Sequence, residues 1–174
     1  RHFQTALELA TTLDDRQRRI DVLLAWADLN ARVGDYATAH SQFEEAATLA
    51  SARGDAVAEG RALEGKGWVM AGMGVPVDEV IATLETALRL HEAGEDRFEL
   101  ARTRLSLLSL MQAAGRLGRC LELADDVLAS LHQVGYRRGE AAARQALALV
   151  NWALGNYAAA AEQATAAAGL FASI

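Results

Sequence analysis

The 174-residue sequence contains one cysteine, one proline and a single lysine, and aromatic residues make up only 6% of it. The lone cysteine, Cys120, cannot form an intrachain disulfide or build a cysteine–histidine metal cluster. No apolar run approaches the roughly 18 residues of a membrane span, and the start of the chain does not resemble a signal peptide. The composition also excludes collagen-like and disordered chains. We therefore expect a soluble, cytoplasmic fragment of a longer protein.

Alanine is abundant instead, with 38 residues, and it favours helices that pack closely. Glycines divide the chain at steps of 40, 41 and 40 residues, at Gly34, Gly74, Gly115 and Gly155. A second series has the same steps, at Asp14-Asp15, Gly54-Asp55, Glu95-Asp96 and Gly135-Tyr136. The stretches between these markers have helix-like apolar spacing. The pattern predicts a helix–turn–helix unit that is repeated along the chain.

Small residues recur at fixed distances from the turn glycines, where they would let paired helices cross closely. Shortly after the turn glycine they are Ala39, Val80, Cys120 and Ala160, and about two helical turns later they are Ala46, Ala87, Val127 and Ala167. Before the turn glycine they are Ala27, Gly67 and Ala148, and the third repeat has Leu108 at this position instead. The turns define four repeats after a lone N-terminal helix at 3–13. The repeats cover 16–55, 56–96, 97–136 and 137–174.

The segment LLAWADLNARVGDYATAHSQFEEAATLASARGD strongly resembles a tetratricopeptide repeat, through Ala27, Gly34-Asp35-Tyr36, Ala39, Phe43 and Ala46. The last repeat, with Gly155 and Tyr157, matches nearly as well, whereas the two middle repeats are degenerate. The 40-residue period resembles the variant found in bacterial transcriptional regulators and signalling ATPases. This resemblance implies an all-α fold, a right-handed superhelical solenoid of antiparallel helix pairs that forms a single array over 1–174.

No residue pattern indicates an enzyme, a cofactor or a metal site. The stretch Gly60–Lys66 has the spacing of a phosphate-binding loop, but Gly67 replaces the required Ser or Thr and the stretch lies inside a predicted helix. We expect Gly67 to be a helix-crossing residue and Gly65 to face the groove. Cys120 is predicted to be a core thiol. The histidines lack ligand spacing and are expected to be exposed or partly buried, at His2, His40, His91 and His132.

Charge is distributed unevenly along the chain. Residues 1–55 carry a net charge of −3 and residues 56–96 a net charge of −5, whereas 97–136 and 137–174 each carry +1. This gradient either orients a charged partner or is an ordinary solvated surface. It lacks the clustered basic stripe that nucleic-acid binding favours, so no nucleic-acid partner is expected.

In the resembled family, the first helices of successive repeats line a concave groove. The positions that this resemblance places in the groove are Asp21, Leu24, Asp28, Ala31, Arg61, Glu64, Trp68, Ala71, Arg102, Leu105, Ser109, Gln112, Ala142, Gln145, Leu149 and Trp152. Trp68 and Trp152 either contact a partner or, with a register error of one residue, pack inside; Trp26 is expected to be core.

We therefore expect a non-enzymatic scaffold that binds a peptide or a protein surface in its groove. The alternative is an effector-sensing domain of a bacterial transcriptional regulator, binding a small molecule or a signalling peptide. The terminal helices, at 3–13 and around Leu170-Phe171, are apolar on faces that no predicted helix covers. We expect these faces to stack either on other chains, which would produce self-association, or on neighbouring domains of the parent protein.

Overall fold

The computed structural model describes residues 2–13 and 15–174. Arg1 and Asp14 lie outside the described residues; Asp14 is the first residue of the predicted turn marker Asp14-Asp15. The described residues form nine α-helices and no strand. The helices are α1 His2–Thr12, α2 Arg16–Arg32, α3 Tyr36–Ser51, α4 Ala56–Gly72, α5 Val77–Ala93, α6 Arg97–Ala113, α7 Leu117–Gln133, α8 Arg137–Ala153 and α9 Tyr157–Ala172. None of these described helices is long and apolar enough to cross a membrane.

The helices group into two compact units, Arg1–Asp96 (unit 1) and Arg97–Ile174 (unit 2). In each unit every helix packs against the next one along the chain. The first helices of successive pairs are also neighbours, α2 with α4 in unit 1 and α6 with α8 in unit 2. Each of the four repeat ranges contains one helix pair. The prediction of an all-α helical-repeat fold is confirmed.

The residues that mark the turns adopt left-handed backbone conformations after the helices end. Gly34 has a φ of 85°, and its N–H and that of Asp35 donate to carbonyls in the last turn of α2. The Asp35 side chain then accepts a hydrogen bond of 3.2 Å from the Thr38 N–H and caps α3. The same glycine–aspartate pair recurs at Gly54 and Asp55, so one dipeptide ends a helix and begins the next.

The predicted small residues lie where helices meet. Ala27, Ala39 and Ala46 are all fully buried, and the positions equivalent to Ala39 and Ala46 are buried in the other pairs as well. A Cβ atom added to Gly67 would lie 2.8 Å from Leu84 Cδ2, so α5 approaches α4 at a point where no side chain intervenes. The helix-crossing role predicted for Gly67 is confirmed.

His91 corrects the expectation that the histidines are exposed or partly buried, because it is fully buried in α5. A Cβ atom on Gly60 would lie 2.6 Å from its Cε1 atom, so the imidazole occupies space that the glycine leaves free. A ring nitrogen of His91 also lies within 4.8 Å of a carboxylate oxygen of Glu64. The spacing of the histidines along the sequence could not predict this burial, because it depends on the contact between His91 in α5 and Gly60 in α4.

Glu95 is the one described non-glycine residue with a positive φ, 56°, at the position that Gly54 and Gly135 occupy in two other repeats. A Cβ atom makes this conformation unfavourable, so Glu95→Gly is expected to raise the free energy of unfolding by about 1 kcal/mol. Urea denaturation followed by circular dichroism measures the change. Glu95→Ala keeps the Cβ atom and removes only the charge. Equal stabilisation by both substitutions would contradict a backbone origin.

Candidate functional site

Helix α4 exposes its backbone at two glycines, and each glycine faces an aromatic ring of α3. Gly65, Trp68 and Gly72 lie on one face of α4, at the three- and seven-residue spacings that align side chains on a helix. A Cβ atom on Gly72 would lie 2.9 Å from Tyr36 Cζ, and one on Gly65 would overlap the ring of Phe43. Both rings therefore rest against the α4 backbone, and only glycine at these two positions allows it.

This packing leaves a cleft of ≈ 300 Å³ between α2, α3 and α4, entirely within unit 1. Tyr36, Phe43 and Val69 line its apolar part, and Gly65 lines it beside them. Trp68 also lines the cleft and is 56% exposed, so its indole is only partly covered by protein. A preformed apolar cleft of this size is suited to a single large apolar side chain or a small molecule.

Charged groups stand on the α2 side of the same cleft. Asp28 and Arg32 both line it, with Ala31 between them. They lie four residues apart, so both project from the same face of α2. Unit 1 as a whole carries 9 basic and 17 acidic side chains, a net charge of −8 at neutral pH. Its long-range field therefore attracts cations, while the cleft itself offers one group of each sign.

Some of the predicted groove residues of unit 1 are exposed or line the cleft, whereas others are buried. Asp28, Ala31 and Trp68 come together in the cleft, and Asp21 and Arg61 are exposed on the same two helices. The expected groove residues Leu24 and Glu64 are instead buried, with exposures of 5% and 3%.

Both corrections have a physical reason. Leu24 packs into the core cluster of α2, α3 and α4 together with Ile20 and Phe43, because one turn of α2 faces α3 rather than the groove. Glu64 faces His91 on α5. A groove position inferred from sequence distance alone cannot distinguish the face of α4 that meets α2 from the face that meets α5.

In unit 2, the predicted groove residues of α8 lie on one open face. Gln145, Leu149 and Trp152 are exposed, with Leu149 at 51% and Trp152 at 65%. The predicted residues of α6, which neighbours α8, are all half-buried: Arg102, Leu105, Ser109 and Gln112. Ala142 and Ala71, the remaining expected positions, are half-buried too.

Four cleft residues were absent from the predicted groove: Arg32, Tyr36, Phe43 and Val69. The two aromatic residues were recognised only as part of the repeat pattern, where they signal helix packing. The signal that could have identified them is the pair of glycines on α4, which removes the side chains that would otherwise cover both rings. Trp26, expected in the core, is half-buried and stacks on Phe3, with 6.2 Å between the ring centroids.

The remaining chemical predictions concern single residues. The segment with phosphate-loop spacing lies inside α4, and its Lys66 Nζ donates to Glu44 on α3 at 3.0 Å. This hydrogen bond and the charge of Lys66 lower the pKa of Glu44. Cys120 is fully buried, as expected of a core thiol, and burial raises its pKa.

No protein-family model matches the sequence, and no curated protein matches it. Solved structures do match its fold. BtubC (BKLC) from P. vanneervenii is 15% identical, with a TM-score of 0.86 over 98% of this chain and 71% of that one. The kinesin light chain nearly identical TPR-like repeats from Podosopora anserina are 16% identical, with a TM-score of 0.74 over 98% of this chain and 83% of that one.

A third similar structure is a Rap protein complexed with Competence and Sporulation Factor. It is 15% identical, with a TM-score of 0.76 over 98% of this chain. This chain spans 57% of the Rap protein. At such identities the likeness shows a common fold, and the tetratricopeptide-like repeat fold inferred from the sequence is confirmed.

The contact between Gly65 and Phe43 predicts that even a methyl group at position 65 destabilises the fold. Gly65→Ala is expected to lower the free energy of unfolding by about 1–3 kcal/mol, because the methyl group forces the Phe43 ring towards the cleft. Urea denaturation measures the loss.

Gly169→Ala is the matched control, since Gly169 lies in helix α9 and nothing lies near a Cβ atom added there. It is expected to gain up to about 1 kcal/mol from helix propensity. The double variant Gly65→Ala/Phe43→Leu should regain part of the loss. An unchanged stability for Gly65→Ala would show that the ring does not rest on the α4 backbone.

Proposed function

We propose that this chain is a non-enzymatic protein-interaction module, and that the unit 1 cleft holds one large apolar side chain of a peptide or protein surface. The observation that carries this proposal is the half-exposed indole of Trp68 beside the rings of Tyr36 and Phe43 in a preformed cleft. Tryptophan and tyrosine dominate the binding energy of protein interfaces when they lie in well-packed pockets.

The apolar lining determines which part of a partner is bound. A large side chain that enters the cleft removes its own surface and that of Trp68 from water. Burying about 150 Å² of apolar surface contributes roughly 4 kcal/mol before the costs of association are subtracted. A single anchoring side chain of this kind supports a weak to moderate affinity, as expected for a reversible interaction module.

The charges on α2 determine how the partner is oriented. Asp28 and Arg32 stand one helical turn apart on the same side of the cleft, so a bound segment meets a negative and a positive group in a fixed order. Such exposed charges contribute more to specificity and register than to affinity. The anchoring side chain is therefore expected to be flanked by a basic residue next to Asp28 and an acidic one next to Arg32.

A structure with this fold supports a binding role: it is a Rap protein complexed with Competence and Sporulation Factor, so the same fold holds a bound factor in another protein. The second candidate function is effector sensing in a bacterial transcriptional regulator. The cleft volume of ≈ 300 Å³ favours this candidate, because small-molecule sites begin at about this size.

A displayed library of random short peptides, selected on the immobilised chain, tests the proposal. We expect enrichment of sequences with one large apolar residue. Trp68→Ala should weaken binding of an enriched synthetic peptide by at least about tenfold, because the truncation removes one wall of the cleft. Isothermal titration calorimetry measures the dissociation constant.

Trp152→Ala is the matched control, since Trp152 is also exposed but lies in the other unit. It should leave the affinity unchanged. No enrichment, or equal binding by Trp68→Ala and the parent, would refute the cleft as the binding site. Thermal shift assays with a metabolite library separate the second candidate, because a small effector that binds the native state raises its melting temperature.

A further inference from the structure

Aromatic side chains are concentrated in the unit 1 cleft, although they are scarce in the chain as a whole. Three of the eight residues that line the cleft are aromatic, whereas aromatic residues make up 6% of the sequence. Trp68 on α4 is 56% exposed, Tyr36 on α3 is 37% exposed, and Phe43, also on α3, is buried. We call these three residues the aromatic wall. Trp68 and Tyr36 therefore present ring surface from two helices to an occupant of the cleft.

The aromatic wall favours a positively charged occupant over a neutral one of the same shape. The face of an aromatic ring carries partial negative charge and attracts a cation within about 6 Å of the ring centre, most strongly at tryptophan. The carboxylate of Asp28 lines the same cleft, and unit 1 as a whole carries a net charge of −8. The rings and the surrounding field therefore act in the same direction on a cation that approaches the cleft.

The lining also determines which kind of cation fits. A primary ammonium group has three hydrogen-bond donors and is strongly hydrated, so it needs several acceptors when it leaves water. Among the lining residues, only Asp28 and Tyr36 carry a side-chain oxygen that accepts a hydrogen bond. A trimethylammonium group has no N–H donor and presents methyl groups on its surface. It therefore matches a cleft whose lining is both apolar and cation-attracting.

Arg32 adds a second requirement. It lies four residues after Asp28 on α2, which places the two positions about 6 Å apart along the helix axis. A simple cation is repelled by the guanidinium group, whereas a molecule that also carries a carboxylate can pair with it. The two charges on α2 therefore favour a zwitterion in which a few bonds separate the cationic group from the carboxylate.

We propose that the unit 1 cleft binds a small zwitterion, with its trimethylammonium group against the aromatic wall and its carboxylate at Arg32. This inference rests on the second candidate function, in which the cleft holds a small effector, and it names the chemical class of that effector. The cleft volume of ≈ 300 Å³ lies at the lower end of small-molecule sites, which suits a compact zwitterion.

Isothermal titration calorimetry of the full chain with three matched probes tests the inference. The first probe is butanoate with a trimethylammonium group on its fourth carbon. The second replaces that group by the neutral tert-butyl group of the same shape, and the third is butyltrimethylammonium, which lacks the carboxylate. The zwitterion should bind with a dissociation constant below about 1 mM and at least about tenfold more tightly than either other probe, because each of them lacks one charge that the cleft recognises.

Asp28→Asn tests the contribution of the carboxylate in the cleft. It should weaken binding of the zwitterion at least about threefold. Asp21→Asn is the matched control, because Asp21 is an exposed aspartate of the same helix that lies outside the lining of the cleft. It removes the same charge from unit 1 and should bind the zwitterion like the parent. Both aspartates are exposed, so circular dichroism should show an unchanged fold for both variants.

Equal binding of the zwitterion and its tert-butyl isostere overturns the inference, because the cleft would then select apolar bulk without regard to charge. Equal binding of the zwitterion by Asp28→Asn and Asp21→Asn overturns it as well. If none of the three probes binds, the inference also fails, and a selected peptide whose affinity depends on Trp68 then leaves the first candidate function intact. If that peptide fails too, the cleft is not a binding site and both proposals fall.

Discussion

Unit 1 depends on the four glycines of α4, three of which lie in the interior of the helix, where glycine is intrinsically unfavourable. Each interior glycine costs α4 about 1 kcal/mol relative to alanine. All four receive a side chain from a neighbouring helix: Gly60 meets His91, Gly65 meets Phe43, Gly67 meets Leu84 and Gly72, the last residue of α4, meets Tyr36. Close packing of these side chains offsets the cost and holds α4 between α3 and α5. The same glycines make α4 intolerant of even one added methyl group.

The cleft follows from this packing rather than from a separate structural element. Because Gly65 and Gly72 bring the α3 rings onto the α4 backbone, the side chain of Trp68 stands beside the rings instead of covering them. Helix α2 then closes the third side with Asp28 and Arg32. Tyr36, Phe43 and Gly65 therefore both stabilise unit 1 and line its candidate binding surface.

The fold could be predicted from the sequence because its strongest signals are local. A left-handed glycine follows six of the described helices with a fixed period, and at Gly34 and Gly54 the next residue is an aspartate that caps the following helix. The candidate cleft was predicted only in part. The predicted groove residues Asp28 and Trp68 line it, whereas Leu24 and Glu64 are buried, because a helix that contacts neighbours on several sides has no single outer face. Phe43, which is buried, was interpreted as a packing residue alone, since its place in the lining of the cleft depends on a glycine 22 positions away in another helix.

The central claim is that a partner's apolar side chain binds against Trp68. The chain contains three tryptophans, so a ¹H–¹⁵N spectrum should contain three indole signals, which Trp→Phe variants assign. Titration with a peptide selected on the chain is predicted to shift the Trp68 signal and to leave those of Trp26 and Trp152 in place. An unshifted Trp68 signal under saturating peptide, with a shift of either other indole, would contradict the claim.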